Sequence, residues 1–413
     1  MRILHISTRL ILGGSQENTV LSCEGQARRP PNGHEVHLAF GPIYGPEGSL
    51  LERVETFRTE DGRRITTHTV PHLVREINPI ADWRCLHELR ALIRAINPDI
   101  VHTHSSKAGI LGRFAAWKEG GRDGRRGVVH TIHGPPFMPV DGSLPHRIAT
   151  RAKNTLYQMA EELAANRCHA IVSVADAMTT EFRRRDIGRD AQFITIRSGM
   201  EVSTFLHAAP GESRPQVRSA LGITPDRFVI GTVARLAEHK GHDDILDALV
   251  GDLRANPSWL LLWVGDGWWR ERLEQRIQSM GLTDQVLLTG LVPPDRIPGL
   301  MRAMDLLVHP SYREGLPRTV PQALLSGAAV VAYDADGTRE ACIDRITGRL
   351  VRPGDRAALR EAVAWMAADP ARRSATVLAG KAMCAEMFDA DRMVEALDHV
   401  YTRARAGLAP HPD

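Results

Sequence analysis

The sequence predicts an α/β protein built from two Rossmann-like, doubly wound domains in series, which face each other across a cleft. Its 413 residues are too many for a single domain of typical length. Short runs rich in Val and Ile alternate with amphipathic helical patterns, as expected for parallel strands covered on both faces. This series restarts after a segment with Gly, Pro and Ser near residues 203–215. We therefore expect an N-terminal domain over residues 1–205, a second domain over 206–385 and a helical tail, 386–413, that packs back toward the first domain.

Each half of the chain contains strand-like runs that are short, apolar and rich in β-branched residues. In the first half they are RILHIS (2–7), EVHLAF (35–40), DIVHTH (99–104), GVVHTIH (127–133), AIVSVA (170–175) and FITIRSG (193–199). In the second half they are FVIGTVARL (228–236), WLLLWVGDG (259–267), QVLLTG (285–290), DLLVHPS (305–311) and AAVVAYD (328–334). The intervening segments show helical periodicity, and the one before Asn97-Pro98 has this apolar stripe: Leu86, Leu89, Leu92, Ile93 and Ile96.

Composition and charge indicate a soluble globular protein, with 43% hydrophobic and 24% charged residues and a net charge of +3. That charge is too small for a typical nucleic-acid binder, and aromatic residues do not interleave with the arginine clusters at 122–126 and 183–185. Residues 1–205 carry 27 Lys and Arg against 22 Asp and Glu. This excess is explained either by a solvated surface or by attraction to an anionic membrane or acceptor.

Cysteine usage and the N-terminus bear on location. The five cysteines are an odd number, lie far apart and form no C-x-x-C, which argues against a disulfide framework or a zinc site. The opening MRILHISTRL predicts a strand rather than a signal peptide, and no stretch approaches the roughly 20 apolar residues that span a bilayer. We expect a cytoplasmic protein that at most touches the inner face of the cell membrane.

The first predicted strand is followed by Gly13-Gly14, which opens a helix. Backbone N–H groups and the positive end of the helix dipole can face an anion there, although such a Gly pair is often only structural. The sequence has no G-x-G-x-x-G and no G-x-x-x-x-G-K-[ST], which argues against a nicotinamide cofactor and a P-loop.

Three histidines lie within strand-like runs of the first half. His102 and His104 are two residues apart on one strand and so share a face, whereas His133 ends the next strand at HTIHG. A metal site from these three is an alternative, but no Asp or Glu shares their spacing. Hydrogen-bonded structural histidines, or neutral histidines that contact a ligand, are favoured over a metal. Its position at a strand end makes His133 the candidate that faces a ligand.

In the second half, Arg235 lies just beyond a strand and Lys240 just before a helix. Two cations around one strand–helix turn suit a diphosphate, although both are also explained as solvated loop charges. Glu314 follows another strand end, on a loop fixed by Gly315 and a proline, and Gln322 lies eight residues later at the start of a helix. A carboxylate and an amide can bind sugar hydroxyls, so these residues together suit a sugar nucleotide.

With these residues assembled, the chain resembles the retaining family 4 glycosyltransferases of the GT-B fold over nearly its whole length. The motifs that carry the resemblance are GGSQ (13–16), HTHSSKAGILGR (102–113), HTIHG (130–134), ARLAEHKG (234–241), VGDG (264–267), EGLPRTVPQALLSGAAVVA (314–332) and GRLVRPGD (348–355). Two departures are visible. Gln322 replaces the second glutamate of the E-x7-E motif, and DADGTRE (334–340) replaces a Gly-Gly-x-Pro-Glu pattern, of which only Glu340 carries over.

The resemblance implies a role for each candidate residue. Those that would bind the donor are Gly14, Arg235, Lys240, Gly315, Leu316, Gln322 and Glu340, and those that would act at the transferred sugar are Glu314 and His133. The implied reaction is metal-independent retaining transfer from a UDP- or GDP-linked sugar to a glycan or lipid-linked acceptor in cell-surface polysaccharide biosynthesis, with no cofactor. The alternatives are a nucleotide-sugar epimerase of the same fold and a catalytically silent sugar-nucleotide-binding protein.

Residues 146–166 predict a helix with one apolar stripe: Ile148, Ala152, Leu156, Met159 and Leu163. Basic residues lie toward its beginning: Arg147, Arg151 and Lys153. A helix covering the core explains the stripe as well as a membrane surface does. With the basic first half, and because related transferases extend lipid-linked glycans, we expect a peripheral contact between the first domain and anionic membranes.

Overall fold

The computed structural model describes residues 1–29, 33–44, 48–139 and 143–407. It divides into two compact units, Met1–Met200 with Ala390–Asp413, and Glu201–Asp389. The chain therefore leaves the first unit near residue 200 and returns to it near residue 390. Residues 408–413 of the predicted tail lie outside the described residues.

Each unit is built on one parallel sheet. In the described part of the first unit seven strands have the order β3-β2-β1-β4-β5-β6-β7, and in the second six have the order β10-β9-β8-β11-β12-β13. The strands of the first sheet are β1 (Arg2–Ser7), β2 (Glu35–Phe40), β3 (Thr66–Thr69), β4 (Ile100–His104), β5 (Gly127–Ile132), β6 (Ala170–Ser173) and β7 (Phe193–Thr195). Those of the second are β8 (Phe228–Val233), β9 (Trp259–Val264), β10 (Val286–Leu288), β11 (Leu306–His309), β12 (Ala329–Tyr333) and β13 (Arg349–Val351).

Helices connect the strands as crossovers. In the first unit they are α1 (Gly14–Arg28), α2 (Leu51–Thr56), α3 (Pro79–Ile96), α4 (Ser106–Ala116), α5 (Leu144–Ala165) and α6 (Asp176–Arg183). In the second they are α7 (Val202–Leu206), α8 (Arg214–Ala220), α9 (His242–Ala255), α10 (Arg270–Ser279), α11 (Ile297–Arg302), α12 (Thr319–Ser326), α13 (Thr338–Ala341), α14 (Arg356–Ala367) and α15 (Pro370–Met387). The returning segment forms α16 (Ala390–Arg405).

The structure confirms the predicted fold class of two doubly wound parallel sheets. All the predicted strands form, and sequence reasoning missed two, β3 and β13. Strand β3 reads TTHT and is partly exposed at a sheet edge, so it has no apolar alternation to detect. Strand β13 lies at an edge of the second sheet, next to β12, and its three residues are too few to show a periodic pattern.

Helix α3 shows how local sequence fixes an element. The Asn78 side chain accepts hydrogen bonds from two backbone N–H groups of the first turn, which caps the helix. Leu89, Ile93 and Ile96 of the predicted stripe are buried. The helix ends where Asn97 adopts a left-handed conformation, φ 49°, before Pro98.

The core of the first unit includes residues from both ends of the chain. Ile3 of β1 and Val129 of β5 pack in one cluster with Leu397, Val400 and Tyr401 of α16. The five are buried. Helix α16 is therefore part of the hydrophobic core of this unit, and not a surface appendage.

Candidate functional site

Two adjacent loops meet at the carboxyl end of the second sheet, after β8 and after β11. The backbone N–H of Tyr312 donates to the carbonyl of His239, 2.8 Å away. Between Lys240 and α9, Gly241 has φ 70°, and a Cβ atom there would lie 2.2 Å from the carbonyl oxygen of Pro310. Only glycine allows this approach, so the loop that carries Lys240 is held against the loop that leads to Glu314.

Glu314 is held by contacts to both its side chain and its backbone. Its Oε1 accepts from Lys240 Nζ at 2.6 Å and from His309 Nε2 at 3.1 Å. Its backbone N–H donates to Asp336 Oδ2 at 2.8 Å. Thr319 Oγ1 in turn lies 3.2 Å from His309 Nδ1. The carboxylate therefore has a fixed place and orientation at the end of the sheet.

The charges around Glu314 decide its ionisation. Burial alone raises the pKa of this carboxyl group, but the Lys240 ammonium and the hydrogen bond from His309 outweigh it and hold the pKa well below its usual range. Burial and the Lys240 charge also lower the pKa of His242, to about 4, and lower that of His239. The site therefore contains an ionised carboxylate paired with an ammonium, next to neutral imidazoles.

Arg235 lies at another part of the same edge, beside the turn after β9. The backbone N–H of Leu236 donates to the carbonyl of Asp266 at 3.0 Å, and the Arg235 guanidinium lies 5.4 Å from the centre of the Trp268 ring. A Cβ atom on Gly267 would be 2.4 Å from the Leu236 carbonyl oxygen, so the VGDG turn lets the two loops approach. Arg235 and Lys240 thus flank one strand–helix connection, as the sequence predicted.

The remaining predicted residues of this unit lie on the loop after β11 and on two helices. Gly315 and Leu316 are buried directly after Glu314, and Gln322 is buried in the first turn of α12, at the start of a helix as predicted. Glu340 is half-buried in α13. The structure brings Lys240 and Glu314 into direct contact, whereas Gln322 and Glu340 are placed on separate elements.

Sequence reasoning missed three residues of this site: His309, Asp336 and Thr319. His309 ends a strand, and in the sequence it is only part of an apolar run. Asp336 belongs to a segment that departs from the family pattern, yet its carboxylate fixes the backbone of Glu314. It has φ 47°, a left-handed conformation that Asp tolerates better than most residues. The signal that could have found both is position, since His309 is the last residue of β11 and Asp336 follows β12 by three residues.

A buried carboxylate supports the loop from beneath. Asp244 of α9 accepts from Tyr312 Oη at 2.5 Å, from Tyr333 Oη at 2.9 Å and from Arg356 Nε at 2.8 Å. Burial and these contacts with Asp244 raise the pKa of Tyr312 to about 12. Since the phenol stays protonated, it continues to donate to Asp244. Tyr312, two residues before Glu314, is thereby anchored.

In the first unit the structure places His133 directly after β5 and Gly14 at the first position of α1, after β1. His133 Nε2 lies 3.0 Å from Nδ1 of His104. Gly14 opens a 15-residue helix, so the N-terminal N–H groups of α1 lie at the carboxyl end of the first sheet. Both positions agree with the strand ends at which ligands of such sheets bind.

Imidazole nitrogens cluster in the core of this unit. Ring nitrogens of His5, His102 and His104 lie within 4.8 Å of one another, a spacing that a metal ion could use. Each of these six nitrogens, however, lies 2.6–3.0 Å from another polar side-chain atom. Burial lowers the pKa of His5 to about 4 and those of His102 and His104 well below the usual value. The geometry favours hydrogen-bonded neutral histidines over a metal centre.

Comparison with known proteins identifies the family. A family model described as Glycosyltransferase Family 4 matches residues 13–225, and another, described as Glycosyl transferases group 1, matches residues 213–383. The 2-deoxystreptamine N-acetyl-D-glucosaminyltransferase of Streptomyces fradiae is 29% identical over 348 residues, which covers 81% of this chain and 80% of the relative. The UDP-Gal:alpha-D-GlcNAc-diphosphoundecaprenol alpha-1,3-galactosyltransferase of Escherichia coli is 30% identical over 293 residues, with 69% and 70% covered.

Solved structures show the same fold. Anabaena HepE in complex with UDP-glucose matches with a TM-score of 0.77 at 21% identity, covering 97% of this chain and 99% of that one. Sucrose-phosphate synthase from Thermosynechococcus elongatus matches with a TM-score of 0.77 at 18% identity, with 98% and 99% covered. The predicted GT-B fold is thereby confirmed. Since the first family model spans more than half of the chain, and the Escherichia coli relative more than two thirds of it, the chain belongs to glycosyltransferase family 4 and is a glycosyltransferase.

Proposed function

We propose that this enzyme transfers a hexose-type sugar, with retention of configuration, from a UDP- or GDP-linked donor to a glycan or lipid-linked acceptor of cell-surface polysaccharide biosynthesis. The observation that carries the proposal is the contact of Glu314 with Lys240 and His309 at the carboxyl end of the second sheet. A cation for a phosphate and a carboxylate for sugar hydroxyls are there held side by side.

Each candidate residue of the second unit has one role in this proposal. Arg235 and Lys240 bind the diphosphate, helped by the N-terminal N–H groups of α9, which starts two residues after Lys240. Glu314 binds hydroxyls of the transferred sugar, and the backbone at Gly315 and Leu316 lines the same position. Gln322 accepts a hydrogen bond from a ribose hydroxyl, in the place where the family motif has a glutamate. Glu340, which matches the family motif, contacts the sugar-nucleotide donor.

The first unit contributes Gly14 and His133 to this proposal. The absence of a side chain at Gly14 lets the backbone at the start of α1 approach the diphosphate. His133, at the end of β5, contacts the donor sugar. In the reaction, fixed cations and helix N-termini stabilise the leaving diphosphate, so the proposal includes no metal and no enzymic nucleophile.

The names of the similar proteins support a nucleotide-sugar donor but divide over the acceptor. The Escherichia coli relative is named for UDP-Gal and a diphosphoundecaprenol-linked sugar, and Anabaena HepE was solved with UDP-glucose. The Streptomyces fradiae relative is named for 2-deoxystreptamine, which is a small aminocyclitol. An acceptor of that kind is therefore the second candidate, and a membrane test distinguishes the two.

The donor class is tested by thermal unfolding in the presence of UDP-, GDP- and dTDP-sugars. A ligand that binds only the native state stabilises it by about 2.7 kcal/mol at a hundred times its Kd, so one nucleotide class should raise the Tm. Release of free sugar from that donor should follow, which a silent binding protein would not show. If no sugar nucleotide raises the Tm, the donor assignment is wrong.

Helix α5 carries the observation relevant to the acceptor. Its predicted apolar stripe is exposed: Ile148 is 59% exposed, Leu156 60%, Met159 56% and Leu163 52%. The interpretation of α5 as a core-covering helix is therefore wrong for these residues. The basic residues of the same helix are exposed as well: Arg147, Arg151 and Lys153. No helix in the described ranges is long and apolar enough to cross a bilayer. We propose that α5 lies on an anionic membrane surface and brings the enzyme to a lipid-linked acceptor.

Vesicle co-sedimentation tests this contact. Because each basic side chain near an anionic leaflet contributes about 1 kcal/mol, we expect binding to anionic vesicles at low salt and its loss at high salt. The double variant Leu156→Asp/Met159→Asp should abolish binding. Leu378→Asp is the matched control, since Leu378 is 73% exposed on α15 of the other unit. Equal recovery with neutral and anionic vesicles, or none with either, would favour an acceptor in solution.

A further inference from the structure

A continuous series of hydrogen bonds crosses the core of the first unit and ends at His133. We call it the histidine chain, and its members in order are His133, His104, His5, Gln26, Tyr401, His102 and Thr131. They come from strands β1, β4 and β5, with His133 directly after β5, and from helices α1 and α16. Gln26 and Tyr401, in the middle, are both fully buried. The proposed function uses only His133, and the role of the other members is unassigned.

On one side of Gln26 the chain consists of imidazoles. Gln26 Oε1 is 2.8 Å from His5 Nε2, and His5 Nδ1 is 2.9 Å from His104 Nε2. His104 Nδ1 is 3.0 Å from His133 Nε2. Every step therefore joins ring nitrogens or an amide at ordinary hydrogen-bond distances.

On the other side of Gln26 the chain passes through the C-terminal helix. Gln26 Nε2 donates to Tyr401 Oη at 3.0 Å, and Tyr401 Oη is 2.6 Å from His102 Nδ1. His102 Nε2 is 2.7 Å from Thr131 Oγ1. Burial raises the pKa of Tyr401 well above its usual value, so the phenol keeps its proton.

The direction of these bonds follows from the amide of Gln26. A neutral imidazole has one donor nitrogen and one acceptor nitrogen. A group of fixed role at one end of the series therefore sets the role of every ring nitrogen along it. Oε1 of Gln26 only accepts, so His5 Nε2 carries a proton and His5 Nδ1 accepts from His104. His104 Nδ1 then accepts from His133 Nε2. In neutral His133 the ring proton is therefore on Nε2 and the lone pair is on Nδ1.

We propose that Gln26 and Tyr401 are positioning residues that fix the tautomer of His133 through His5 and His104. This inference rests on the proposed contact of His133 with the donor sugar. With its lone pair on Nδ1, His133 accepts a hydrogen bond from a sugar hydroxyl rather than donating one. Turning the Gln26 amide over would reverse every bond and place the proton on Nδ1. In the structure the Gln26 NH2 group faces the Tyr401 hydroxyl, which accepts from it and so has its own proton available for His102. Because a hydroxyl can both donate and accept, the orientation of the Gln26 amide sets the direction, and Tyr401 connects that amide to the other half of the chain.

The buried setting keeps the direction of the chain stable. Gln26, His5, His102 and His104 are each at most 1% exposed, so water has little access to the groups along the chain. Protonation of an imidazole inside the chain is opposed by the lowered pKa values that burial causes. The tautomer of His133 is thus set some distance from the residue itself.

Nitrogen NMR of the full-length protein, labelled with ¹⁵N at histidine, tests the inference. The two ring signals of His133 are identified as those missing from the spectrum of His133→Asn. In the wild type we expect one neutral tautomer, with Nε2 protonated. In Tyr401→Phe and in Gln26→Leu both signals should move toward the average of the two tautomers. Tyr401→Phe removes a single oxygen atom, so it carries the test if Gln26→Leu does not fold.

Thr103→Val is the matched control. Thr103 Oγ1 is 2.9 Å from Nδ1 of His130, a buried hydrogen bond of the same strand β4 that lies outside the histidine chain. This variant should leave the His133 signals unchanged. A tautomer mixture in the wild type, unchanged signals in Tyr401→Phe, or an equal change in Thr103→Val would each overturn the inference. Donor affinity of His133→Asn is measured separately: an unchanged Kd would contradict the donor contact and leave the tautomer result standing.

Discussion

Glu314→Ala is expected to lower the rate of sugar transfer about 10²–10³-fold, the scale on which one preorganised contact contributes to a transition state. The fold should persist, because Glu314 lies on a loop whose neighbours Gly315 and Leu316 are independently buried. UDP or GDP should bind at least as tightly as in the wild type, since removal of the carboxylate leaves the Lys240 ammonium available to the diphosphate. Steady-state kinetics and calorimetry on the same samples measure both effects.

Two further variants complete this experiment. Glu314→Gln keeps the size and an acceptor oxygen for His309, and it should also be slow if the charge is what matters. Glu212→Ala removes another partly buried acid of the second unit, which pairs with Arg302 at 3.2 Å, and should retain transfer. A rate for Glu314→Ala within about twofold of the wild type would refute the proposed role.

Loss of either proposed phosphate-binding cation should have the second large effect. Lys240→Met or Arg235→Met is expected to weaken nucleoside-diphosphate binding by about 1.5–3 kcal/mol, the contribution of a hydrogen bond to a charged group. That corresponds to about a tenfold to hundredfold rise in Kd. Binding of the bare nucleoside should hardly change. For Lys240→Met the loss includes repulsion from Glu314, whose carboxylate then lacks its ammonium partner.

Calorimetry with the nucleoside diphosphate and the nucleoside measures the difference directly. Arg360→Met is the control for loss of a positive charge, because Arg360 is exposed on α14 and pairs with Asp252. It should leave both affinities unchanged. Equal losses for the diphosphate and the nucleoside in Lys240→Met would mean that the residue acts on the fold and not on phosphate.

The sequence predicted the strands of both sheets well, because buried parallel strands are nearly continuous apolar runs. It predicted the loops of the site for the same reason, since each loop follows such a run. What it could not predict was which side chains touch. Lys240 and Glu314 are 74 residues apart, and their contact depends on β8 and β11 being neighbours in the sheet. The conformation of Gly241 and its approach to Pro310 then fix the distance.

Helix α5 and the histidine chain show two further limits of sequence reasoning. Periodicity predicted a helix and a stripe at α5, but periodicity is equal for a buried and an exposed stripe, so only the structure shows that Leu156 and Met159 face solvent. The histidine chain needs strand register as well. His5 and His102 are paired across β1 and β4, which places their rings side by side, and sequence spacing contains no such information.

The return of α16 to the first unit has a consequence for biogenesis. Gln26 and Tyr401 bond across 375 positions of sequence, so this contact forms only after nearly the whole chain has left the ribosome. Domains usually complete their folding in the order of synthesis. Here the segment 201–389 is contiguous and can close its core while residues 390–405 are still being translated. The N-terminal unit is therefore the last to be completed, and until then the nascent chain exposes the surface against which α16 will pack.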